Sequence, residues 1–295
     1  MNLENVIMGK DIYKNYGRFK LNLPKFNVPK GVATALIGEN GAGKTTLLDI
    51  LAGVYHADRG EIAYFNNKEF IDEDSVRSRI GYTGPNNFFM PQWTVEQIKE
   101  MGSLLFDTFD AKKFDDFCNE VQLQATKQTQ VKSLSDGNRM KVILATALAR
   151  ETKLLIMDEP ASPLDPLMRD KLCEIIVDYL AQNEGENSVL FSTHNIADME
   201  KITDYAIIMH TGKIVEQGFV EDLKEKYTVI KGDEIDEVLA QHIIGLSRNR
   251  YGFEGIVFTS RLDKFSDCNI VTETPSLSQI TVAIMKHYSK LKTKK

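Results

Sequence analysis

The hydrophobic pattern of this chain predicts buried strands that alternate with helices. Residues 32–37, 154–157 and 188–191 are largely apolar or β-branched, which is typical of strands buried on both faces of a parallel sheet. Residues 45–52, 142–150 and 166–180 carry apolar side chains at helical spacing. Because parallel strands are joined by crossover helices, this alternation predicts an α/β fold.

Other segments extend this sheet or pack beside it. Short strands are predicted within residues 1–30 and at residues 60–65 and 80–83, and a hairpin over residues 205–217 turns at Thr-Gly-Lys. Residues 95–123 have apolar positions at helical spacing, which are most simply explained by packing against a core.

The pattern changes after about residue 227. Strands are predicted at residues 227–230 and 255–258, and helices at residues 233–240 and 276–288. No group of catalytic side chains stands out there. We therefore predict a main domain over residues 1–226 and a small α+β appendage over residues 227–295, with regulation or dimer contact as its candidate roles.

A glycine-rich loop with a lysine follows the first of the apolar strands. Residues 38–46 (Gly-Glu-Asn-Gly-Ala-Gly-Lys-Thr-Thr) match the phosphate-binding pattern G-x-x-x-x-G-K-[ST], which a chain of this length matches by chance about once in a hundred. Glycines let successive N–H groups point into one concavity, and the following helix adds the positive end of its dipole. Lys44 supplies a cation for the phosphates, and the Thr45 hydroxyl is a ligand for Mg²⁺.

Two further strands end in polar side chains. Asp158 and Glu159 follow residues 154–157, and His194 follows the strand that begins at residue 188. The carboxyl ends of strands are where α/β folds bind ligands. One carboxylate can hold Mg²⁺ through water, and the next can polarise an attacking water. A lone histidine is more often structural, yet this position also suits a contact with phosphate.

Composition excludes several classes of protein. The 295 residues carry a net charge of −6, with 42% apolar and 26% charged residues, as in an ordinary globular protein. We expect no nucleic-acid partner, and no apolar run approaches the roughly 18 residues that span a bilayer. The N-terminus has no signal-peptide pattern, and Cys118, Cys173 and Cys268 have no disulfide or metal spacing. We expect reduced thiols, a cytoplasmic location and any membrane part on another chain.

Three features stay open on the residues alone. Tyr16 either stacks on a nucleotide base or is an ordinary core or surface residue near a turn. Ser135 is a good N-cap for the helix that continues through residues 142–150, and that local role alone would explain it. The loop that holds Phe88, Phe89, Met90 and Trp93 suits a docking surface and core packing equally.

Several motifs together resemble the ATP-binding subunit of ABC transporters, over residues 5–225. Residues 38–46 resemble its Walker A loop, Asp158 and Glu159 end a Walker B strand, and residues 162–165 resemble its D-loop. Residues 134–138 resemble its signature sequence, with Asp136 in place of the usual glycine and Asn138 in place of the usual glutamine. The resemblance implies a P-loop NTPase of the ABC ATPase fold, with an antiparallel β subdomain, a helical subdomain at about residues 86–150 and a small α+β C-terminal appendage.

The resemblance also implies the ligands. ATP and Mg²⁺ would be the cofactors, with Thr45 and Asp158 on Mg²⁺. Lys44, Glu159 and His194 would act in hydrolysis, with His194 as the switch histidine. The residues expected to contact ATP, among which Tyr16 would stack on adenine, are Tyr16, Gly38, Asn40, Gly41, Ala42, Gly43, Lys44, Thr45, Thr46, Ser135 and Gly137.

The partners follow from the same resemblance. Two subunits, identical or paralogous, would form a sandwich dimer in which Ser135 and Gly137 of one subunit complete the ATP site of the other. The N-terminus of the signature helix, with its unpaired N–H groups, would face the γ-phosphate. A separate transmembrane permease would dock near residues 84–93 and hold the chain on the inner face of the cell membrane.

The loop after residues 80–83 departs from the family. ABC ATPases usually have a glutamine that aligns on Pro85, and it helps to bind Mg²⁺ and water and relays nucleotide state to the membrane subunit. Proline has no side-chain donor or acceptor. Asn86 and Asn87 are candidate substitutes, whereas Gln92 is too far along the chain. We expect coupling to be affected more than hydrolysis, because the other catalytic residues remain.

The subgroup is suggested by three stretches. Residues 91–95, residues 191–194 and the appendage resemble Gram-positive exporter ATPases of the bacitracin and phenol-soluble-modulin types, which handle antimicrobial or amphipathic peptides. We therefore expect ATP hydrolysis that powers peptide export. One alternative is a soluble ABC-type ATPase of translation or repair, although this chain has neither a second cassette nor a long coiled-coil insertion. The other is a nucleotide sensor that does not hydrolyse, which only Pro85 supports.

Overall fold

The computed structural model describes residues 4–65, 74–84 and 89–292. The strands are β1 (Asn5–Asn15), β2 (Lys20–Pro29), β3 (Ala33–Gly38), β4 (Arg59–Tyr64), β5 (Ile80–Thr83), β6 (Leu154–Met157), β7 (Ser188–Thr193), β8 (Tyr205–His210), β9 (Lys213–Phe219), β10 (Tyr227–Gly232), β11 (Ile244–Asn249), β12 (Gly252–Phe258) and β13 (Ile270–Glu273). The α-helices are α1 (Lys44–Leu51), α2 (Asp74–Arg77), α3 (Val95–Leu105), α4 (Ala111–Glu120), α5 (Asp136–Leu148), α6 (Pro166–Ala181), α7 (Val220–Lys226), α8 (Glu237–Ala240) and α9 (Leu277–Lys292).

Six strands form the central sheet, in the order β5-β6-β7-β3-β8-β9. All neighbouring pairs are parallel except β8 and β9, which form the predicted hairpin at one edge. Every residue of β3, β6 and β7 is buried, so the prediction that these apolar runs are strands covered on both faces is confirmed. The carboxyl ends of β6, β7 and β3 lie side by side, and they position the candidate site.

A second sheet is antiparallel, in the order β2-β1-β4. The prediction of short strands within residues 1–30 was wrong in length, because β1 and β2 have 11 and 10 residues. Leu23 of β2, Leu47 of α1 and Leu36 of β3 belong to one buried core, which holds this sheet against the P-loop helix and the central sheet.

Residues 95–123 form two helices, not a single helical stretch. A β carbon on Gly102 of α3 would lie 2.5 Å from the ring of Phe109. The turn after α3 therefore folds back against that helix. The Asp110 carboxylate then accepts hydrogen bonds from the N–H groups of Lys112 and Lys113, at 2.8 and 3.1 Å, and caps α4. The helical spacing of apolar residues continues across the turn, which is why the sequence did not reveal it.

The last part of the chain forms a four-stranded antiparallel sheet in the order β11-β12-β10-β13. With α8 between β10 and β11, this is the strand order of a split βαβ unit, as in ferredoxin-like folds. The helix predicted over residues 233–240 was wrong in extent, because α8 begins only after its N-cap Asp236. Strands β11 and β13 were missed because each ends in a run of three exposed residues, so buried and exposed positions do not alternate.

Helix α9 lies between this sheet and the rest of the protein. Its residues Leu277 and Ile280 are fully buried, in the same core as Met199 and Ala206. Within the described ranges, the structure has no helix that is both long and apolar enough to cross a membrane.

Candidate functional site

The P-loop connects β3 to α1, as the motif predicts. Gly41 and Gly43 have φ angles of +81° and +103°, in the left-handed region that side chains disfavour. A β carbon on Gly43 would also lie 2.6 Å from the ring of Phe19 in the β1–β2 turn. The loop therefore needs glycine at position 43 both for its backbone conformation and for the close packing of the antiparallel sheet.

The turn between β8 and β9 supports the P-loop from outside. The Gly212 N–H donates a hydrogen bond to the Ala42 carbonyl at 2.8 Å, and the Gly212 carbonyl accepts one from Asn22 of β2 at 2.8 Å. Thr211 and Gly212 both have positive φ, as expected of a two-residue hairpin turn. Sequence reasoning predicted this turn but not its contact with the P-loop.

Lys44 lies at the start of α1 and is only 6% exposed. Its ammonium group donates a hydrogen bond to the Gly38 carbonyl at 2.7 Å, and it lies 3.2 Å from a carboxylate oxygen of Glu159. The structure thus places the P-loop cation next to the second carboxylate of the 154–159 segment, although 115 positions separate Lys44 from Glu159 in the chain.

Asp158 is buried at the end of β6 and contacts the P-loop directly. The Thr45 hydroxyl donates to one of its carboxylate oxygens at 2.6 Å, and the Ser192 hydroxyl of β7 donates to the other. The backbone N–H of Glu159 donates to the Ser192 hydroxyl oxygen at 2.9 Å. Ser192 was not predicted as a site residue, but it lies two positions before His194 on a strand that sequence reasoning did assign to the site.

Glu159 is the centre of this arrangement. Its backbone φ is +50°, which is strained for a residue with a side chain, and its other carboxylate oxygen lies 2.7 Å from Nδ1 of His194. The same carboxylate therefore touches both Lys44 and His194. His194 is half exposed at the end of β7, so its ring is accessible to a ligand.

The oxygen ligands present fit Mg²⁺ with a nucleotide. Magnesium keeps several waters and is commonly held by one or two protein oxygens together with phosphate oxygens. The Thr45 hydroxyl and the Asp158 carboxylate supply two such oxygens beside the P-loop. Among the described residues no cluster of three or more acidic, histidine or cysteine side chains forms a separate metal site.

Comparison with known proteins identifies the family. A family model described as ABC transporter matches residues 21–162. The uncharacterized ABC transporter ATP-binding protein MJ1023 of Methanocaldococcus jannaschii is 30% identical over 226 residues, which cover 75% of this chain and 80% of that protein. The chain belongs to the ABC transporter ATP-binding proteins. This confirms the family-level resemblance in the sequence, while nothing in these matches singles out a bacitracin or modulin exporter.

Two further matches describe how far the likeness extends. The uncharacterized ABC transporter ATP-binding protein sll0415 of Synechocystis is 31% identical over 237 residues, and the match spans 77% of this chain but only 65% of that protein. A solved ATP-binding subunit of an ABC transporter superposes with a TM-score of 0.64 at 26% identity, over 74% of this chain and 92% of that one. The protein therefore has the predicted ABC ATPase fold.

The remaining predicted ATP contacts of this ABC ATP-binding protein lie outside the hydrogen-bonded network around Lys44. Tyr16 is 49% exposed in the β1–β2 turn. Ser135 caps α5, with its hydroxyl oxygen accepting the Asn138 N–H at 3.2 Å, so the capping prediction is confirmed. A β carbon on Gly137 would lie 3.1 Å from the Pro163 carbonyl, which places the signature helix against the predicted D-loop.

An apolar groove opens beside the site, between β5 and the helices that follow it. It has a volume of about 360 Å³, and we call it the α3 groove; its lining includes Tyr82, Phe89, Trp93, Ile98, Met101 and Leu105. Phe89 and Trp93 are partly buried against the core, while Met90 beside them is 53% exposed. Core packing is therefore confirmed for Phe89 and Trp93, and the docking surface stays a prediction. Residues 85–88 lie outside the described residues. They include Phe88 and the substituted position Pro85, as well as Asn86 and Asn87.

The three cysteines take no part in the site. All three are free thiols, and Cys173 is buried in α6. Burial raises the pKa of the Cys118 thiol to about 11, so this thiol stays protonated and unreactive at neutral pH.

Proposed function

We propose that this protein binds and hydrolyses Mg²⁺-ATP as the ATP-binding subunit of an ABC transporter. The observation that carries the proposal is the single contact network at the ends of β3, β6 and β7. In it the Glu159 carboxylate contacts both Lys44 and His194, and the Thr45 hydroxyl contacts the carboxylate of the preceding residue, Asp158.

The chemistry would be an in-line attack of water on the γ-phosphate. Lys44 and the P-loop N–H groups neutralise the charge that develops on the phosphate, because phosphoryl transfer depends mainly on positioning and electrostatics. Mg²⁺ would be held by Thr45 and Asp158 and would supply positive charge that offsets the negative charge of the phosphates. Glu159 polarises the water, and His194 holds the γ-phosphate while its Nδ1 stays hydrogen-bonded to Glu159.

ATP binding would exchange one contact for another. The Lys44 ammonium has three donors, one of which goes to the Gly38 carbonyl, and it also faces Glu159. When phosphate oxygens take the place of the Glu159 carboxylate on Lys44, that carboxylate is left to accept a proton from water. The same ion pair that orders the site therefore has to open before catalysis.

The site would be completed by a second subunit. Ser135 and Gly137 stand at the N-terminus of α5, where unpaired backbone N–H groups and the helix dipole favour an anion. In this subunit Gly137 packs beside the carbonyl of Pro163. We propose that they contact the γ-phosphate bound by a partner, which is a second copy or a paralogue.

The α3 groove is the proposed docking site for the permease. It joins the segment after β5 to the helical region, and its apolar lining is flanked by Arg77 and Arg150. Leu105 in its lining is 65% exposed, and the preceding residue Leu104 is 78% exposed. Large exposed apolar side chains beside cations suit an amphipathic membrane-protein helix with an acidic residue. Such docking would hold the chain at the inner face of the membrane.

The substrate and the direction of transport rest on the sequence resemblance alone. We propose peptide export, because residues 91–95 and 191–194 resemble Gram-positive peptide exporters. We also propose residues 1–226 as the ATPase domain, with a helical subdomain at about residues 86–150, and residues 227–295 as a small α+β appendage. No strand of the β10–β13 sheet pairs with the other two sheets, which supports that division.

Glu159→Gln tests the catalytic assignment. The amide cannot accept the proton of the attacking water, so we expect phosphate release to fall by about 10²- to 10⁴-fold while ATP binding is retained. Glu184→Gln is the matched control, because Glu184 also has a positive φ (+59°) but lies outside the site. Steady-state phosphate release and equilibrium ATP binding are the measurements.

Three outcomes would contradict the proposal. Full turnover by Glu159→Gln would remove Glu159 as the residue that polarises water. No turnover by the wild-type protein would favour a nucleotide sensor. The variant should also elute as a dimer from size exclusion with saturating Mg²⁺-ATP, so a monomer under those conditions would argue against the shared site.

A further inference from the structure

One hydrogen bond joins the α3 groove to the P-loop helix. Tyr82 of β5 lines the groove with its ring, and its hydroxyl donates to a carboxylate oxygen of Asp49 at 2.6 Å. Asp49 lies on α1, one helical turn after Thr45, and so on the same face of the helix as that proposed Mg²⁺ ligand. A single residue therefore touches both the proposed docking surface and the helix that holds the phosphates.

The partner of Tyr82 is a buried acid. Asp49 is only 5% exposed, and burial raises the pKa of its carboxyl group, with a further rise from the nearby charge of Asp158. The hydrogen bond from Tyr82 opposes that rise. A buried carboxylate that loses its donor costs more than an ordinary hydrogen bond, so the position of the Tyr82 hydroxyl and the position of α1 are linked energetically.

A second contact ties the same strand end to the site. The backbone N–H of Asp158 donates to the carbonyl of Thr83, the residue after Tyr82, at 2.8 Å. The end of β5 is thus held to the two elements that supply the proposed Mg²⁺ ligands, α1 and the end of β6. Movement of this strand end cannot leave both contacts unchanged.

We propose that the Tyr82–Asp49 hydrogen bond couples the α3 groove to the Mg²⁺-ATP site, with Tyr82 as a positioning residue that acts through Asp49. The inference rests on the proposed function, because it assumes that the P-loop binds Mg²⁺-ATP and that the groove receives the permease. It assigns the coupling role to side chains that precede position 85, where proline offers no hydrogen-bonding side chain.

The chain contains one tryptophan, and it lies in the groove. Trp93 lines the same surface as Tyr82, so its fluorescence reports on the groove without any label. The experiment titrates the full chain with Mg²⁺ and a slowly hydrolysed ATP analogue, and it measures Trp93 emission together with analogue binding by equilibrium dialysis. We expect a saturable change in emission for the wild-type protein.

Three variants and a control separate coupling from simple structural loss. In Tyr82→Phe and Asp49→Ala the hydrogen bond is absent, and we expect the Trp93 change at saturation to fall to about half or less, because the coupled element is released. In Asp49→Asn the amide oxygen still accepts the Tyr82 hydroxyl, so most of the change should return. Tyr64→Phe is the control, since its hydroxyl donates to Leu51 on the same helix at 2.9 Å but does not reach Asp49.

Three results of this experiment would overturn the inference. A wild-type amplitude in Tyr82→Phe at full analogue occupancy would overturn the inference, as would a loss of amplitude in Tyr64→Phe equal to that in Tyr82→Phe. An emission that does not respond in the wild-type protein would also overturn it. Phosphate release by the wild-type protein, measured in parallel, judges the proposed ATPase function separately.

Discussion

At the residue scale, the P-loop depends on a glycine that is distant in sequence. Gly212 contacts Ala42 of the P-loop through its N–H, and its own position is tight: a β carbon there would lie 2.0 Å from the Lys20 carbonyl oxygen. Its φ angle of +74° is also one that side chains disfavour. The hairpin turn, the β2 strand and the P-loop therefore share one closely packed point.

Gly212→Ala should destabilise the protein and weaken ATP binding. The positive φ costs about 1 kcal/mol, and displacing the Lys20 backbone adds about 1–3 kcal/mol. Gly185→Ala is the matched control, because Gly185 has a similar φ of +78° with no atom within 4 Å of the added carbon. Urea unfolding measures the free energies, and a fluorescent ATP analogue measures affinity. Equal losses in the two variants would mean that the close packing at position 212 contributes nothing.

The residues of the site differ in how readily the sequence reveals them. Lys44, Asp158 and Glu159 were predicted because motif spacing and the ends of buried strands mark them, and the structure brings them together. Asp49 and Tyr82 carry no such mark, since one is an acid inside a helix and the other an aromatic residue inside a strand. Their contact is a tertiary one, and no local pattern encodes it.

At the element scale, α3 has one buried face and one face with exposed apolar side chains. Ile98 is buried, and the capping box of Thr94 and Gln97 fixes where the helix begins. Leu104 and Leu105 near its end are largely exposed. The apolar face of α3 is wider than the part of it that packs against the core. The exposed apolar side chains are available to a partner, which favours docking on α3 itself.

Leu105→Glu should impair docking without unfolding the protein. A charge in an apolar interface is costly, so we expect the membrane-bound fraction of the chain, when expressed with its permease, to fall about tenfold or more. Val238→Glu is the matched control, because Val238 of α8 is 67% exposed, against 65% for Leu105. Membrane fractionation measures retention, and the melting temperature of each purified chain checks the fold. Unchanged retention of Leu105→Glu would place the permease elsewhere.

Elements were predicted best where their neighbours bury them fully. The strands β3, β6 and β7 were located from apolar runs, α5 from a capping residue followed by helical spacing, and α6 from helical spacing alone. The break between α3 and α4 was missed because apolar spacing continues through it. Partly exposed elements were predicted least accurately. A strand such as β13 is defined by its pairing with β10 and not by its own pattern of apolar and polar residues.

At the scale of the whole molecule, α9 joins the C-terminal sheet to the ATPase region. The Glu200 carboxylate accepts the N–H groups of Leu277 and Ser278 at 2.7 and 3.2 Å, and so caps α9 from the segment that follows His194. Leu277 and Ile280 of α9 share a core with Met199. The C-terminal sheet is therefore held in part through this helix, which is anchored a few residues from the site, while Tyr227 of β10 also donates a hydrogen bond to Glu216 of β9.

Glu200→Ala should loosen the C-terminal sheet before the central one. Two N–H groups of α9 lose a charged acceptor, and the negative charge near the positive end of the helix dipole is removed, a loss of about 1–3 kcal/mol. Hydrogen exchange should then be faster in α9 and in strands β10 to β13, while β3, β6 and β7 keep wild-type protection. Glu221→Ala is the control, because Glu221 is exposed and, among the described residues, forms an ion pair only with Lys224 on α7. Exchange that becomes faster to the same extent in all three sheets would contradict this prediction. It would mean that the C-terminal sheet unfolds together with the ATPase region, so that α9 is not a separate point of attachment.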